Sequence, residues 1–280
     1  MSGHATEVNS GDRFRFGENW RRFLASVDET RIEQACASLR SWLEVEDLRG
    51  RRFLDAGCGS GLFSLAARRL GAEVVSFDYD PASCACTREL RARFAGGASD
   101  WTVIEGSVLD PGFLEGLGIF DVVYSWGVLH HTGAMWRAID LVASRAGPGG
   151  LLFVALYNDQ GRASRRWLRV KRAYNALPNP LRFLVLWPSF LAIWAGRSAI
   201  DTLRGHPGRS WREYALTSRG MSPWRDVVDW VGGLPFEVSR PEQVLEFLRE
   251  RGFTLVRMKT CGGGFGCNEF VFRRRPPMVP

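Results

Sequence analysis

Lysine is almost missing from this chain. Of its 37 basic residues only Lys171 and Lys259 are lysine, and the rest are arginine. Paired cysteine patterns are missing too. The six cysteines, Cys36, Cys58, Cys84, Cys86, Cys261 and Cys267, contain no Cys-x-x-Cys, which argues against a zinc ribbon; no metal site is expected, with Cys261 and Cys267 as the lesser alternative. Scattered thiols in a chain of 280 residues read as reduced, and so as cytoplasmic. Met1 to Asp12 holds no apolar core, which argues against a secretory signal there. There is no internal repeat and no low-complexity tract. A 45% hydrophobic and 24% charged composition excludes extensive disorder. The apolar run Phe183 to Gly196 is broken by Pro188 and is too short to span a bilayer. It is expected to form a core or dimer contact, with an interfacial helix or a hydrophobic substrate tunnel as the alternatives.

What the chain does have is a localised positive charge. Residues 160–220 hold 12 basic side chains against two acids, Asp201 and Glu213, so this stretch alone outweighs the whole chain's +7. Such a concentration points to an anionic partner.

The pattern along the chain alternates strands and helices. Helical spacing covers 13–47, through Trp20, Phe23 and Leu24 and then Ile32, Ala35, Leu39 and Leu43. Strands are predicted at Arg52–Ala56, Val74–Asp78, Trp101–Glu105, Phe120–Trp126 and Leu151–Tyr157, the last entered through a turn at Gly147-Pro148-Gly149-Gly150. Helices are predicted at Leu62–Leu70, closed by Gly71, and from Pro81 to about Phe94. This order predicts parallel βαβ units. Residues 158–235 then read as apolar and basic helices. The alternation resumes with a capping box at Ser239-Arg240-Pro241-Glu242, a helix over 241–251 and an antiparallel pair at 253–260 and 268–273. The domain reading is therefore a helical cap (1–47), an α/β core (48–157), a helical insertion (158–237) and a closing helix and hairpin (238–275).

Between the first strand and its helix runs Leu54-Asp55-Ala56-Gly57-Cys58-Gly59-Ser60-Gly61. Glycines there allow a tight turn and a close backbone approach by a ligand. Asp78 follows Gly57 by 21 residues, where a carboxylate can bind both ribose hydroxyls. A structural turn and a dinucleotide site remain open on spacing alone. Asp55 ahead of the turn would repel a pyrophosphate but suits a cationic ligand.

These residues resemble the class I S-adenosylmethionine (SAM)-dependent methyltransferases, and the ubiquinone-biosynthesis type of O-methyltransferase in particular. Leu129-His130-His131 resembles that type's Leu-Glu-His run after the fourth strand. The resemblance covers 50–157, and 238–273 by its hairpin pattern. It implies an α/β, doubly wound, mostly parallel seven-stranded Rossmann-like sheet, with an antiparallel C-terminal hairpin and a helical lid. The implied cofactor is SAM. Its contacts would be Asp55, Gly57, Cys58, Gly59 and Gly61 at the first turn, then Asp78 with Tyr79. Ser107 or the Val108 backbone would meet the adenine, and Ser125 with Trp126 would flank the methionine part. Many relatives carry Asp where this chain has Ser107. The segment Phe14-Arg15-Phe16-Gly17-Glu18-Asn19-Trp20 would close over the cofactor, with Trp20 beside the sulfonium, or else pack as a helix on the sheet edge.

On the acceptor side, His131 and then His130 are candidates for a general base, with a structural role as the rival reading. Tyr157 and Asn158 end the fifth strand facing the acceptor. In the insertion, Trp167, Val170, Tyr174 and Leu177 form an apolar helix face, and Arg165, Arg169 and Arg172 a basic stripe. That stripe is either a solvated face or an anion clamp. Trp224, Asp226, Asp229 and Trp230 line the pocket or simply form a helix face, and the Gly262–Asn268 link reads as structural.

The function expected from all this is methyl transfer to a hydroxyl of an acidic or phosphorylated small molecule. C-methylation of an anionic prenyl or lipid-like acceptor is the alternative. Nucleic-acid methylation is disfavoured, because the basic residues mix with apolar runs and no RNA-binding module is visible. A non-catalytic SAM-binding protein is the non-enzyme alternative. Membrane-surface contact and a homodimer are compatible with the apolar insertion.

Overall fold

Five short apolar runs become parallel strands: β1 (Arg52–Ala56), β2 (Glu73–Asp78), β3 (Trp101–Glu105), β4 (Phe120–Trp126) and β5 (Ala146–Tyr157). β6 (Phe253–Lys259) and β7 (Cys267–Arg274) complete a seven-stranded sheet of order β3-β2-β1-β4-β5-β7-β6. β7 runs antiparallel to both β5 and β6, as the predicted hairpin requires. The computed structural model describes residues 3–10, 13–14, 16–17, 20, 24, 27–96, 99–214, 223–262 and 264–276. Phe23, Arg15, Glu18 and Asn19 of the predicted N-terminal elements lie outside the described residues.

Contacts divide the chain into two units, Trp20–Gln160 with Pro235–Pro280, and Met1–Asn19 with Gly161–Leu234. In the first unit, helices cover the sheet, so strand residues such as Phe53, Leu54, Val122, Leu152 and Val154 are fully buried. Helix starts are fixed by short acids. Asp80 accepts from the Ala82 N–H before Pro81–Phe94, and Asp28 from Arg31 before Glu29–Leu43. Pro111–Leu117, capped by Asp110, and Met135–Ala143 are helices beyond those the pattern predicts.

Two local expectations are corrected. Gly147–Gly150 is not a turn before β5 but lies inside it, as an irregularity in the pairing with β4 between Phe120 and Val122. A Cβ on Gly150 would stand 2.9 Å from the Gly147 carbonyl oxygen, so the chain crosses itself there too closely for a side chain. The cap before Pro241–Glu250 is Arg240, whose N–H donates to Gln243 Oε1 at 2.9 Å, and not Ser239. Ser239 is engaged elsewhere: its N–H donates to the Tyr157 carbonyl, and it bridges Asn158.

The second unit is helical, with Gly3–Ser10, Arg162–Ala176, Phe183–Leu203, Arg209–Arg212 and Pro223–Gly232. Trp167, Tyr174, Leu186, Trp194, Val227 and Val231 form its core. Leu177, predicted on the same helix face as Trp167, is the extended residue that ends that helix. Lys171, counted above with the basic surface, is fully buried. Its Nζ donates to the Trp230 carbonyl and lies 4.6 Å from that indole's centre. Pro188 does not interrupt the apolar run, and one helix continues from Phe183 to Leu203. Proline there removes the N–H that would bond the Leu184 carbonyl, a loss water makes good because both residues are exposed. Trp224 to Trp230 sit on Pro223–Gly232, where Trp224 packs on Trp187 and Phe190 and the Tyr214 hydroxyl donates to Asp226.

Candidate active site

β1 to β5 end at one edge of the sheet, and the candidate residues lie on the turns that leave it. β1 passes into Leu62–Arg69 through three glycines with positive φ, Gly57 (86°), Gly59 (53°) and Gly61 (80°). A Cβ on Gly57 would fall 2.4 Å from Val128 Cγ1, and one on Gly61 would fall 2.8 Å from Thr87 Cγ2. Only glycine serves at these places, for φ and for space together. The turn is held from below, because the N–H groups of Gly57 and Cys58 both donate to the Phe77 carbonyl, at 2.8 and 3.0 Å.

Asp78, at the end of β2, is tied to the same turn. Its Oδ2 accepts from the Gly59 N–H at 3.0 Å and its Oδ1 from Asp80 N–H at 2.9 Å. Asp78 and the adjoining Tyr79 are half-buried. The Trp20 indole lies against the turn, and a Cβ on Gly59 would be 3.0 Å from it. Asp55 sits deeper, almost wholly buried, and accepts from Ser64 Oγ. Ser64 in turn meets Ser76 Oγ, which accepts from the Trp101 indole N–H. Burial pushes the Asp55 carboxyl up to about 7, against the Ser64 hydrogen bond that favours the anion. Cys58 is buried, and burial raises its thiol well above the ordinary value.

At the end of β3, Ser107 Oγ accepts from the Leu109 N–H at 3.1 Å, and Val108 is buried beneath that turn. The Ser107 hydroxyl thus shapes its own loop. Ser125 Oγ, at the end of β4, donates to the Ala56 carbonyl at 2.8 Å and fastens β4 to β1 beside the glycine turn, while the next residue, Trp126, is half-buried.

The two histidines occupy a short 3₁₀ turn, Leu129–His131, just past β4. His130 is fully buried and His131 nearly so. His130 stacks at 3.8 Å on the Tyr157 ring and accepts the Tyr157 N–H at Nδ1, 3.3 Å away. His131 Nδ1 lies 2.6 Å from the Pro235 carbonyl oxygen. A carbonyl only accepts, so Nδ1 of His131 is protonated, and in the neutral ring Nε2 carries the lone pair. The two rings are therefore opposite tautomers.

Sequence reasoning missed the segment that supplies this partner. Pro235 to Ser239 runs past the ends of β4 and β5. The Glu237 N–H donates to the His130 carbonyl, and its carboxylate accepts the Met135 N–H at the start of Met135–Ala143. Burial raises the Glu237 carboxyl above its ordinary value. The Phe236 ring stands 5.5 Å from Tyr157. No local pattern marks this segment, since its partners lie about a hundred residues away. Asn158, next to Tyr157, accepts from Asn268 Nδ2 at Oδ1, and Asn268 Oδ1 accepts the Cys261 N–H, so this pair fastens the glycine-rich link. In the helical unit, Arg165, Arg169 and Arg172 are exposed on the side of their helix away from buried Trp167, Lys171 and Tyr174.

A family model described as a methyltransferase domain matches residues 27–187. A ubiquinone biosynthesis O-methyltransferase of Rhizobium etli is 30% identical over 160 residues, 53% of this chain and 62% of that protein. A protein of the same name from Xanthomonas euvesicatoria is 38% identical over 135 residues, 48% of this chain and 52% of that protein. The chain thus spans less than two thirds of the length of either relative. Among solved structures, a magnesium protoporphyrin IX methyltransferase from Synechocystis, crystallised with S-adenosylhomocysteine, superposes with a TM-score of 0.52 at 16% identity, over 88% of this chain and 84% of that one. At that identity the likeness is one of fold.

Proposed function

The chain belongs to the methyltransferase-domain family, and we propose that it transfers the methyl group of SAM to a hydroxyl of an acidic or phosphorylated small molecule. The observation that carries this reading is the pairing of two features at one sheet edge. The first is a glycine turn latched by Asp78. The second is a histidine, His131, whose basic nitrogen is set by Pro235.

The turn fits such a cofactor. Gly57, Gly59 and Gly61 hold the turn in a left-handed backbone that a side chain at those places would not permit, and Asp78 offers carboxylate oxygens that can each accept more than one hydrogen bond, as a ribose diol requires. Tyr79 and the Val108 backbone would flank the adenine, and Ser125, Trp126 and Trp20 the methionine end. Asp55 would stand behind the turn, out of direct contact, because its carboxyl is committed to Ser64. When bound, SAM supplies an electrophilic methyl group on a sulfonium. The protein's part is to hold the acceptor oxygen in line and to take its proton. His131 Nε2 receives that proton while the Pro235 carbonyl stabilises the imidazolium through Nδ1. Tyr157 and Asn158 bound the acceptor side, and the exposed Arg165, Arg169 and Arg172 would attract an acidic group. The names of the curated relatives support a hydroxyl as the acceptor.

The test is S-adenosylhomocysteine release against catechols, sugar phosphates, prenyl diphosphates and tRNA, with wild type, Asp78→Ala, His131→Gln and Arg165→Ala/Arg169→Ala compared. Turnover of an anionic hydroxyl compound that needs Asp78 and His131, with KM raised in the arginine pair, upholds the proposal. Turnover indifferent to His131 points to a carbon acceptor, and turnover of tRNA alone refutes the small-molecule reading.

A further inference from the structure

A helix on the outside of a folded unit turns its apolar stripe inward and its polar side to water. Phe183–Leu203 is apolar on both sides. Its buried positions are Leu186, Ser189, Trp194 and Asp201, and it packs on Arg162–Ala176 and Pro223–Gly232. Phe183, Leu184, Trp187 and Leu191 recur at i, i+1, i+4 and i+8 on another side, and each is more than half exposed. An 18-residue window within Asn179–Leu203 has a mean hydropathy of 1.4, and 11% of it is buried. Single exposed apolar residues need no explanation, but an aligned row on one helix does.

The exposed charge on this helix and on Arg162–Ala176 is basic, while Asp226 and Asp229 of Pro223–Gly232 are half-buried. Lys171 is buried, and the two acids of the segment are both engaged: Asp201 by Ser210 N–H and Oγ at 2.7 and 2.8 Å, Glu213 by Arg209 at 3.0 Å. Arg197 is exposed on the helix itself and Arg204 at its C-cap, and Arg166, Arg169 and Arg172 on the neighbouring helix. A second copy of the chain laid on this face would bring the same arginines and be repelled. An anionic lipid surface matches both the apolar row and the charge.

We propose that the exposed face of Phe183–Leu203 docks the protein on a bilayer rich in anionic lipid, with the helix lying along the surface. The length would suffice to cross a bilayer. Against crossing, Ser189 and Asp201 are buried against the rest of the helical unit, and Arg197 sits in the same turns as Asp201. Trp187 sits among the apolar residues, where an indole favours the headgroup boundary. This inference does not depend on the identity of the methyl acceptor.

The test is co-sedimentation of the whole chain with vesicles of phosphatidylcholine, alone or mixed with phosphatidylglycerol, at low and high salt. The variants are Leu184→Asp/Leu191→Asp and Arg197→Glu/Arg204→Glu, all at exposed positions, with their melting curves and their oligomeric mass measured alongside. Binding to the phosphatidylglycerol mixture alone, lost at high salt and weakened roughly tenfold or more in either pair, is the expected result. Equal binding to both vesicles, or no binding, overturns the proposal. So does retention after a high-salt wash, which would mean a spanning helix. If the leucine pair instead turns a dimer into a monomer and leaves vesicle binding unchanged, the face belongs to a second copy.

Discussion

His131 and Pro235 stand 104 positions apart in the chain and share a hydrogen bond of 2.6 Å from ring Nδ1 to carbonyl oxygen. The bond sets the tautomer of His131, and so which of two adjacent histidines suits the proposed role of base. His130 uses Nδ1 as an acceptor for the Tyr157 N–H, so its proton is on Nε2. Of these two rings in neutral form, that of His131 is the one with an unprotonated Nε2.

His131→Gln is therefore expected to lower kcat by about 10²–10⁴-fold and to leave the SAM dissociation constant unchanged by calorimetry. His130→Gln should act mainly on the melting temperature, because that ring is fully buried under Tyr157. Nitrogen-15 spectra with the His130 and His131 signals assigned should place these two rings in opposite tautomers. The same tautomer for both would remove the reason for preferring His131.

Asp78→Ala removes the acceptor of the Gly59 N–H as well as the carboxylate proposed to bind the ribose. Hydrogen bonds to a charged group contribute about 1.5–3 kcal/mol each, so SAM should bind roughly 10–100-fold more weakly. Calorimetric titration reads this directly. If affinity is unchanged, the carboxylate serves the turn alone.

Much of this site could be read in advance because it is local. Asp55 to Gly61 lie on one strand-turn-helix unit, and Asp78 ends the next strand, so the 3.6- and 2-residue periods carry the information. The partner of His131 is legible nowhere in the sequence, since a backbone carbonyl leaves no residue signature. Lys171 shows the limit of charge counting, because a formal charge looks the same whether it is solvated or under an indole. Pro188 shows the limit of breaker rules. They describe a lost hydrogen bond, and that loss matters little where the orphaned Leu184 carbonyl is at the surface.

Gly57→Ala should cost stability twice over. A residue with a Cβ at φ 86° is strained by about 1–2 kcal/mol, and its methyl would overlap Val128 Cγ1 for a further ~1–3 kcal/mol. Adding Val128→Ala should restore the second part and not the first. The melting temperatures of the single and double variants distinguish them, and full recovery in the double would mean that the left-handed backbone is not a constraint there.

Asp55 and Lys171 both carry folded-state values near 7, reached from opposite directions, and their effects on stability slope oppositely with pH. Burial raises Asp55 from 3.8, so between that value and 7 the unfolded chain has lost a proton that the folded one keeps. Its contribution therefore falls as pH rises through this window and is constant above it. Burial lowers Lys171 from 10.5, with Asp229 working against the shift. As pH drops from 10.5 towards 7 the unfolded chain gains a proton the folded one refuses, so its contribution falls in the acid direction and is constant below 7. Lys171→Met should then stabilise the protein by on the order of 1–4 kcal/mol at pH values below 7. Part of the gain is offset by the lost bond to the Trp230 carbonyl, and the gain should fade towards the ordinary lysine value. Asp55→Asn, which can still accept from Ser64, should be most stabilising above 7 and neutral in acid. Denaturant melts of both variants across this range test the pair. A gain for Lys171→Met that is flat with pH would mean that the amine is charged in the folded state, held so by Asp229 and the Trp230 ring despite its burial.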